Sequence, residues 1–178
     1  MASRSDEDAL LTELTQALKD VGLEALLIGN AAAALLGAPV TTRDVDFYIR
    51  DTSANHRKLM QLAVRLGGLA ITQPGEPLSR MVRLVGWPVE IGFTFSLSSG
   101  ARFESVRARA VDVPVGGAVV RVASLADIIA AKRAANRPKD QAVLPVLEET
   151  MRVAEAMSAV TTKAAASRQR RHRPKRGR

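Results

Sequence analysis

Two acids stand two residues apart in Thr41-Thr42-Arg43-Asp44-Val45-Asp46-Phe47-Tyr48-Ile49. Alternate residues of a strand point to the same face, so Asp44, Asp46 and Tyr48 share one face and Val45, Phe47 and Ile49 the other. The apolar face demands burial. The opposite face holds two carboxylates roughly 6–7 Å apart along the backbone, which repel unless a cation lies between them. Paired hard oxygens suit Mg²⁺ or Mn²⁺; Mg²⁺ usually takes one or two carboxylates and completes its shell with water and substrate phosphate. Taken alone, an Asp-x-Asp strand is equally the solvated face of a sheet edge.

A third acid follows in Val89-Glu90-Ile91-Gly92-Phe93-Thr94-Phe95, which alternates strictly. Glu90, Gly92 and Thr94 share a face on which Glu90 is the only charge, and Gly92 is expected to leave room for a ligand. Three carboxylates on two strands suffice to hold two metal ions about 3.5–4 Å apart, the arrangement that clamps an in-line displacement at phosphorus. Upstream, the apolar strand Leu23 to Ile28 runs into Gly29-Asn30 and then a run of helix formers closed by Gly37. A strand, a small turn and a helix start present free backbone N–H groups to an anion. The segment lacks the Gly-Lys-Ser/Thr of a P-loop and the GxGxxG of a dinucleotide site.

Cations for a phosphate are available in two places. Leu125, Ile128, Ile129 and Lys132 fall on one helical face, which puts a lysine in an apolar stripe. Either its ammonium snorkels to water or it faces a triphosphate from the cleft wall. Ser124 is an expected N-cap with Asp127 three residues on, and Pro138 opens a helix whose first turn holds Asp140. Arg80 and Arg83 lie on the expected strand Arg80 to Val85 and point to opposite faces, so at most one of them reaches the cleft.

The order of these motifs resembles the nucleotidyltransferase superfamily: hydrophobic-Gly-small, a short helix, Asp-x-Asp and a later strand acid. The resemblance implies that Asp44, Asp46 and Glu90 bind the metals, and that Gly29 and Asn30 hold a nucleoside triphosphate, although the family usually has Ser or Gly where Asn30 stands. The segment from Val119 to Lys132, leading into Arg137-Pro138-Lys139-Asp140, is similar to the AbiEii-type toxin branch. That resemblance covers roughly residues 20 to 150. It implies that Lys132 steadies the triphosphate with Asp140 in support, and that Arg80 or Arg83 contacts phosphate. It further implies RNA or tRNA as acceptor and a toxin role opposed by an antitoxin protein. A small-molecule or protein acceptor, or a fold retained only for binding, stands as the alternative.

Composition sets the bounds. The 178 residues contain no cysteine and only His56 and His172. Disulfides, thiolate metal sites, Cys nucleophiles and multi-His centres are therefore excluded, and a reducing, cytoplasmic compartment is expected. His56 is expected at the surface. Aromatic residues make up only 3%, so Ala, Val and Leu must pack the core. From Lys163 onward lie eight of the 26 basic residues and none of the 18 acids, so the remainder is formally neutral. One domain over residues 1–160 and a disordered basic tail over 161–178 are expected, the tail suited to RNA. The weakly apolar stretch 25–40 is too short and too rich in Ala to span a membrane.

The elements that must position these residues read as helix 6–21, strand 23–28, helix 30–37, strand 43–49, helix 53–66 and a weak strand 69–73. After a Pro74–Pro77 loop, strands 80–85 and 89–95 form a hairpin. A second hairpin, 110–115 with 118–122, turns at Gly116-Gly117. Helix 124–135 and helical segments from 138 to about 160 close the chain, with Pro145 expected to kink or split the last. The fold class is α/β of the α+β kind: a mixed sheet flanked by helices.

Overall fold

Leucines at three- and four-residue steps build the first helix, α1 (Arg4–Asp20), which buries Leu14, Ala17 and Leu18 while Leu11 and Val21 pack partly against the core. This is a computed structural model that describes residues 4–72 and 81–171. The Pro74–Pro77 loop and Arg80 lie outside the described residues. Next come β1 (Leu26–Ile28), α2 (Gly29–Leu35), β2 (Asp44–Tyr48), α3 (Ser53–Arg65), β3 (Ala70–Thr72), β4 (Met81–Val85) and β5 (Glu90–Thr94). Then follow α4 (Phe103–Arg109), β6 (Val111–Val115), β7 (Ala118–Val122), α5 (Leu125–Ala135) and α6 (Pro138–Arg171).

The strands form one seven-stranded mixed sheet in the order β3-β4-β5-β2-β1-β7-β6. β2 runs parallel to β5 and antiparallel to β1, and β1 runs parallel to β7. Both expected hairpins form, β4 with β5 and β6 with β7. The β2/β5 register sets Asp44 beside Glu90, Asp46 beside Gly92 and Tyr48 beside Thr94. On the core side of that pair, Phe47 stacks on Phe93 with ring centroids 5.5 Å apart. None of the helices among the described residues is long and apolar enough to cross a membrane.

Two elements differ from expectation. α4 forms where the sequence offered no periodic signal, because seven residues are too few to show one; Phe103 and Val106 are its buried pair. Its first residue, Phe103, and the Ala101 carbonyl just before it meet Tyr48, which shares a strand face with the two aspartates. Tyr48 is therefore buried, its hydroxyl donating to the Ala101 carbonyl at 3.0 Å and its ring meeting Phe103 edge-on at 5.4 Å. Arg50 clamps α4 from above, 4.2 Å over the Phe103 ring and 2.6 Å from both Glu24 and Glu104. Second, Pro145 does not split the last helix, which runs unbroken from Pro138 to Arg171 and so extends along part of the expected tail. Pro145 and Gln141 are both exposed, so the carbonyl that loses its i+4 donor faces solvent. His56 is exposed as expected, 2.9 Å from Asp51 and stacked on Phe95.

Candidate active site

Asp46 is the centre of the site, and two glycines explain its position. A Cβ built on Gly92 would fall well under 3.0 Å from Asp46 Oδ1, and one on Gly29 would fall 3.1 Å from Oδ2. The carboxylate is thus wedged between β5 and the first residue of α2. Gly29 also has φ +72°, a conformation that a side chain resists. This corrects the expectation for Gly92: the room it leaves is filled by Asp46 itself, not by a ligand. The reason is the parallel β2/β5 register, which sets the two residues side by side.

The cradle has an electrostatic consequence. Burial raises the Asp46 pKa above the ordinary carboxylate value, Asp44 and then Glu90 push it the same way, and Arg83 and Lys139 only partly offset them. An acid so placed has too little positive charge near it. Asp44 beside it is exposed. The two carboxylates offer hard oxygens suited to a divalent cation whose other positions go to water and phosphate. Among the described residues, no group of three or more acids or histidines is arranged to hold a metal. Glu90 is near, but its Oε1 lies 2.6 Å from Arg83 Nη1 and it is not part of the cleft wall.

In front of these acids opens a cleft of about 250 Å³. Gly29, Asn30, Asp44 and Asp46 line one side; Arg83, Lys132, Arg137, Lys139 and Asp140 line the rest. Arg83 on β4 lines the cleft, and its neighbours Val82 and Leu84 turn to the core. Asn30 does not cap α2, whose N-cap is Ile28 with no side-chain bond. Its Oδ1 is buried with no hydrogen-bond partner, so the cleft wall carries an unused acceptor.

Lys132 is not simply a snorkelling lysine. Its side chain is only 12% exposed, and Nζ lies 3.3 Å from Asp140 Oδ1. Asp140 is 1% exposed and also accepts from Arg137 Nε at 2.5 Å. Burial alone would raise the Asp140 pKa, but the hydrogen bonds and charges of Arg137 and Lys132 outweigh it and hold the carboxyl below its usual range. A first-turn acid would be expected at the surface; this one is an anchor joining α5 to α6. Asp127 is also buried, bound by Arg109 at 2.6 and 3.1 Å and by its cap Ser124 at 2.6 Å.

The cleft cations therefore differ in how tightly they are held. Arg83 and Glu90 are 41% and 36% exposed, and ion pairs at that exposure contribute typically about 0.2–1 kcal/mol. Breaking a buried pair such as Lys132–Asp140 costs about 3–5 kcal/mol. An incoming anion can take Arg83 easily and Lys132 only at considerable cost. Arg137, Lys139 and the Thr94–Ser98 wall of the cleft were not assigned roles from sequence. The basic run Arg137-Pro138-Lys139 was a signal for the first two; the serines gave none.

The Asp46 cradle yields a direct test. Gly92→Ala is expected to push the Asp46 carboxylate aside, lowering stability by about 1–3 kcal/mol as overpacking does. In an Asp46→Ser background the same alanine should cost much less, because the clashing oxygens are gone. Thermal melts of the four proteins check this. Equal costs in both backgrounds would remove Asp46 from the explanation.

A family model described as "Nucleotidyl transferase of unknown function (DUF2204)" matches residues 7–168. Among curated proteins none matches the chain. Among solved structures, the chain is similar to the antibiotic-resistance factor ANT(2'')-Ia, with 16% identity and a TM-score of 0.59 over 96% of this chain and 100% of that one. It is also similar to a protein from Thermotoga maritima proposed to be a nucleotidyltransferase, with 13% identity and a TM-score of 0.48 over 90% and 92%. A tRNA-processing enzyme aligns with 16% identity and a TM-score of 0.42 over 75% of this chain and 42% of that one.

Proposed function

The chain belongs to the nucleotidyl transferase family DUF2204, and from that premise we propose that it moves a nucleoside monophosphate from a nucleoside triphosphate in the cleft to an acceptor hydroxyl. The observation that carries this reading is Asp46, wedged between Gly29 and Gly92 with Asp44 beside it and basic residues across the cleft. In the reaction the acceptor hydroxyl gives its proton to Glu90 as base, its oxygen bonds to the α-phosphorus, and the bond to the β-phosphate oxygen breaks, releasing pyrophosphate. A divalent cation, Mg²⁺ or Mn²⁺, bound by Asp44 and Asp46 would lower the pKa of the attacking hydroxyl and neutralise charge at phosphorus. Arg83 and Lys139 meet the triphosphate. Lys132 and Asp140 form the rigid cleft floor from which Lys132 adds its charge, and Glu90 completes the acid set. Gly29 and Asn30 border the phosphates, with the free Asn30 Oδ1 as a contact for a hydroxyl or amine donor.

RNA, tRNA included, is the first acceptor class, supported by the eight basic residues from Lys163 onward. A small-molecule acceptor is the second. An apolar cavity of about 220 Å³, lined by Leu10, Leu14, Leu35, Val45 and Trp87, shares Thr42 and Asp44 with the cleft and favours that class. Incubation with each α-labelled nucleoside triphosphate, Mg²⁺ and either total RNA or a small-molecule extract identifies the labelled product. Absence of label from every acceptor overturns the reading.

Deleting residues 163–178 separates the two classes. For an RNA acceptor, nucleotide binding is expected to persist while the KM for polynucleotide rises. The salt slope of RNA binding should flatten by about 0.7 for each phosphate that the shortened chain no longer neutralises. An unchanged KM and slope would leave the tail without a role and favour the cavity.

A further inference from the structure

We infer that Arg83 is a latch: it holds Glu90 away from the Asp44–Asp46 pair until a triphosphate takes its guanidinium, and only then does the third carboxylate join the site. The inference rests on the proposed nucleotidyl transfer and adds a positioning residue to it. Three observations combine. The register places Glu90 directly beside Asp44 on the neighbouring parallel strand, so a side-chain rotation suffices to bring the carboxylate to the pair. In the structure that carboxylate is instead bound to Arg83 at 2.6 Å, and no group of three acids stands together among the described residues. Arg83 itself lines the cleft with Met81 on its strand, so it is within reach of a ligand there.

Arg83 is the cation placed to act this way. Lys132 and Arg137 are both paired with the buried Asp140 and neither touches Glu90, so neither can release that carboxylate. The Arg83–Glu90 pair is half in solvent, and a guanidinium matches phosphate oxygens in the same bidentate geometry as a carboxylate. A triphosphate, with its higher charge, therefore wins Arg83 from Glu90. The exchange is balanced in charge: as the anion arrives it pairs with Arg83, and the freed Glu90 turns toward the cation that accompanies it. Ordered in this way, the full acid set exists only when nucleotide is present.

The test is Mn²⁺ affinity of the full chain without nucleotide, measured from free Mn²⁺ by electron paramagnetic resonance. Arg83→Met is expected to tighten Mn²⁺ by about two- to fivefold, the gain available when an exposed ion pair no longer competes for Glu90. The same substitution made on Glu90→Gln should give no gain, whereas simple removal of a nearby positive charge would give the gain in both backgrounds. Arg83→Met should also weaken binding of a non-hydrolysable triphosphate analogue. A gain that persists undiminished in Glu90→Gln, or no gain at all, overturns the latch. If Asp46→Asn abolishes Mn²⁺ binding while Arg83→Met leaves it unchanged, the latch falls and the metal site stands. If the wild type binds no Mn²⁺ with or without nucleotide, both fall.

Discussion

Asp46→Asn is expected to abolish nucleotidyl transfer and yet leave a protein at least as stable as the wild type. Asparagine keeps the shape that fits between Gly29 and Gly92 but cannot serve as an anionic ligand. Loss of one electrostatic group at a reacting centre typically lowers the rate by about 10²–10⁴-fold. Stability moves the other way. Burial and the neighbours Asp44 and Glu90 raise the Asp46 pKa, so the fold works against its ionised form. For an acid whose folded pKa lies above its unfolded value, that cost is present at neutral pH and disappears as pH falls below the unfolded value. The melting temperature of Asp46→Asn should therefore exceed that of the wild type at pH 7, with the two curves converging toward acid pH. A chain of this size gains about 2–4 °C for each kcal/mol relieved. An Asn variant that melts lower at neutral pH would mean that the carboxylate is structural.

Asp140→Asn, the same chemical change, should have the opposite effect. Asp140 is buried to 1% exposure between Lys132 and Arg137, which hold its pKa down despite burial. Removing its charge leaves Lys132 with 12% exposure and no counter-ion. Arg137, 60% exposed, can turn to water, so the loss lies near the lower end for a broken buried pair, about 3 kcal/mol. That corresponds to a fall in Tm of roughly 6–12 °C. The sign of the pH dependence follows. An acid with a depressed folded pKa stabilises the protein above its unfolded value, and the contribution is lost as pH falls through the folded one. The gap between wild type and variant should be full at neutral pH and close only in strong acid. Should Asp140→Asn melt with the wild type at pH 7, the α5–α6 anchor is unimportant and Lys132 is freer to meet nucleotide than its burial indicates.

The contrast between these two aspartates shows where sequence reading works and where it stops. Both were legible as acids at definite places, Asp46 on a strand and Asp140 in the first turn of a helix. Their strand and helix formed as the local pattern requires, because periodicity of two and of 3.6 residues is carried by neighbours in the chain. The same holds for Gly29 at the end of its strand and for the Ser124 cap, which accepts from the Asp127 N–H. Lys132 falls on the same helical face as Ile128 and Ile129, as its spacing requires.

What the chain by itself determined is therefore the elements other than α4 and the face on which each charged residue lies. Tertiary structure decided the partners. The pairing of Asp46 with Gly92 depends on a parallel register between strands more than 40 residues apart in sequence, and no local pattern sets it. Burial of Asp140 required α5 and α6 to close on one another. Burial of Tyr48 and the binding of Asp127 to Arg109 required α4, a helix too short to announce itself by periodicity. Whether Glu90 faces the aspartates or Arg83 is a competition among charges brought together only by folding. Local geometry fixes a side chain's direction within its own element; its solvation and its counter-charges are properties of the assembled site.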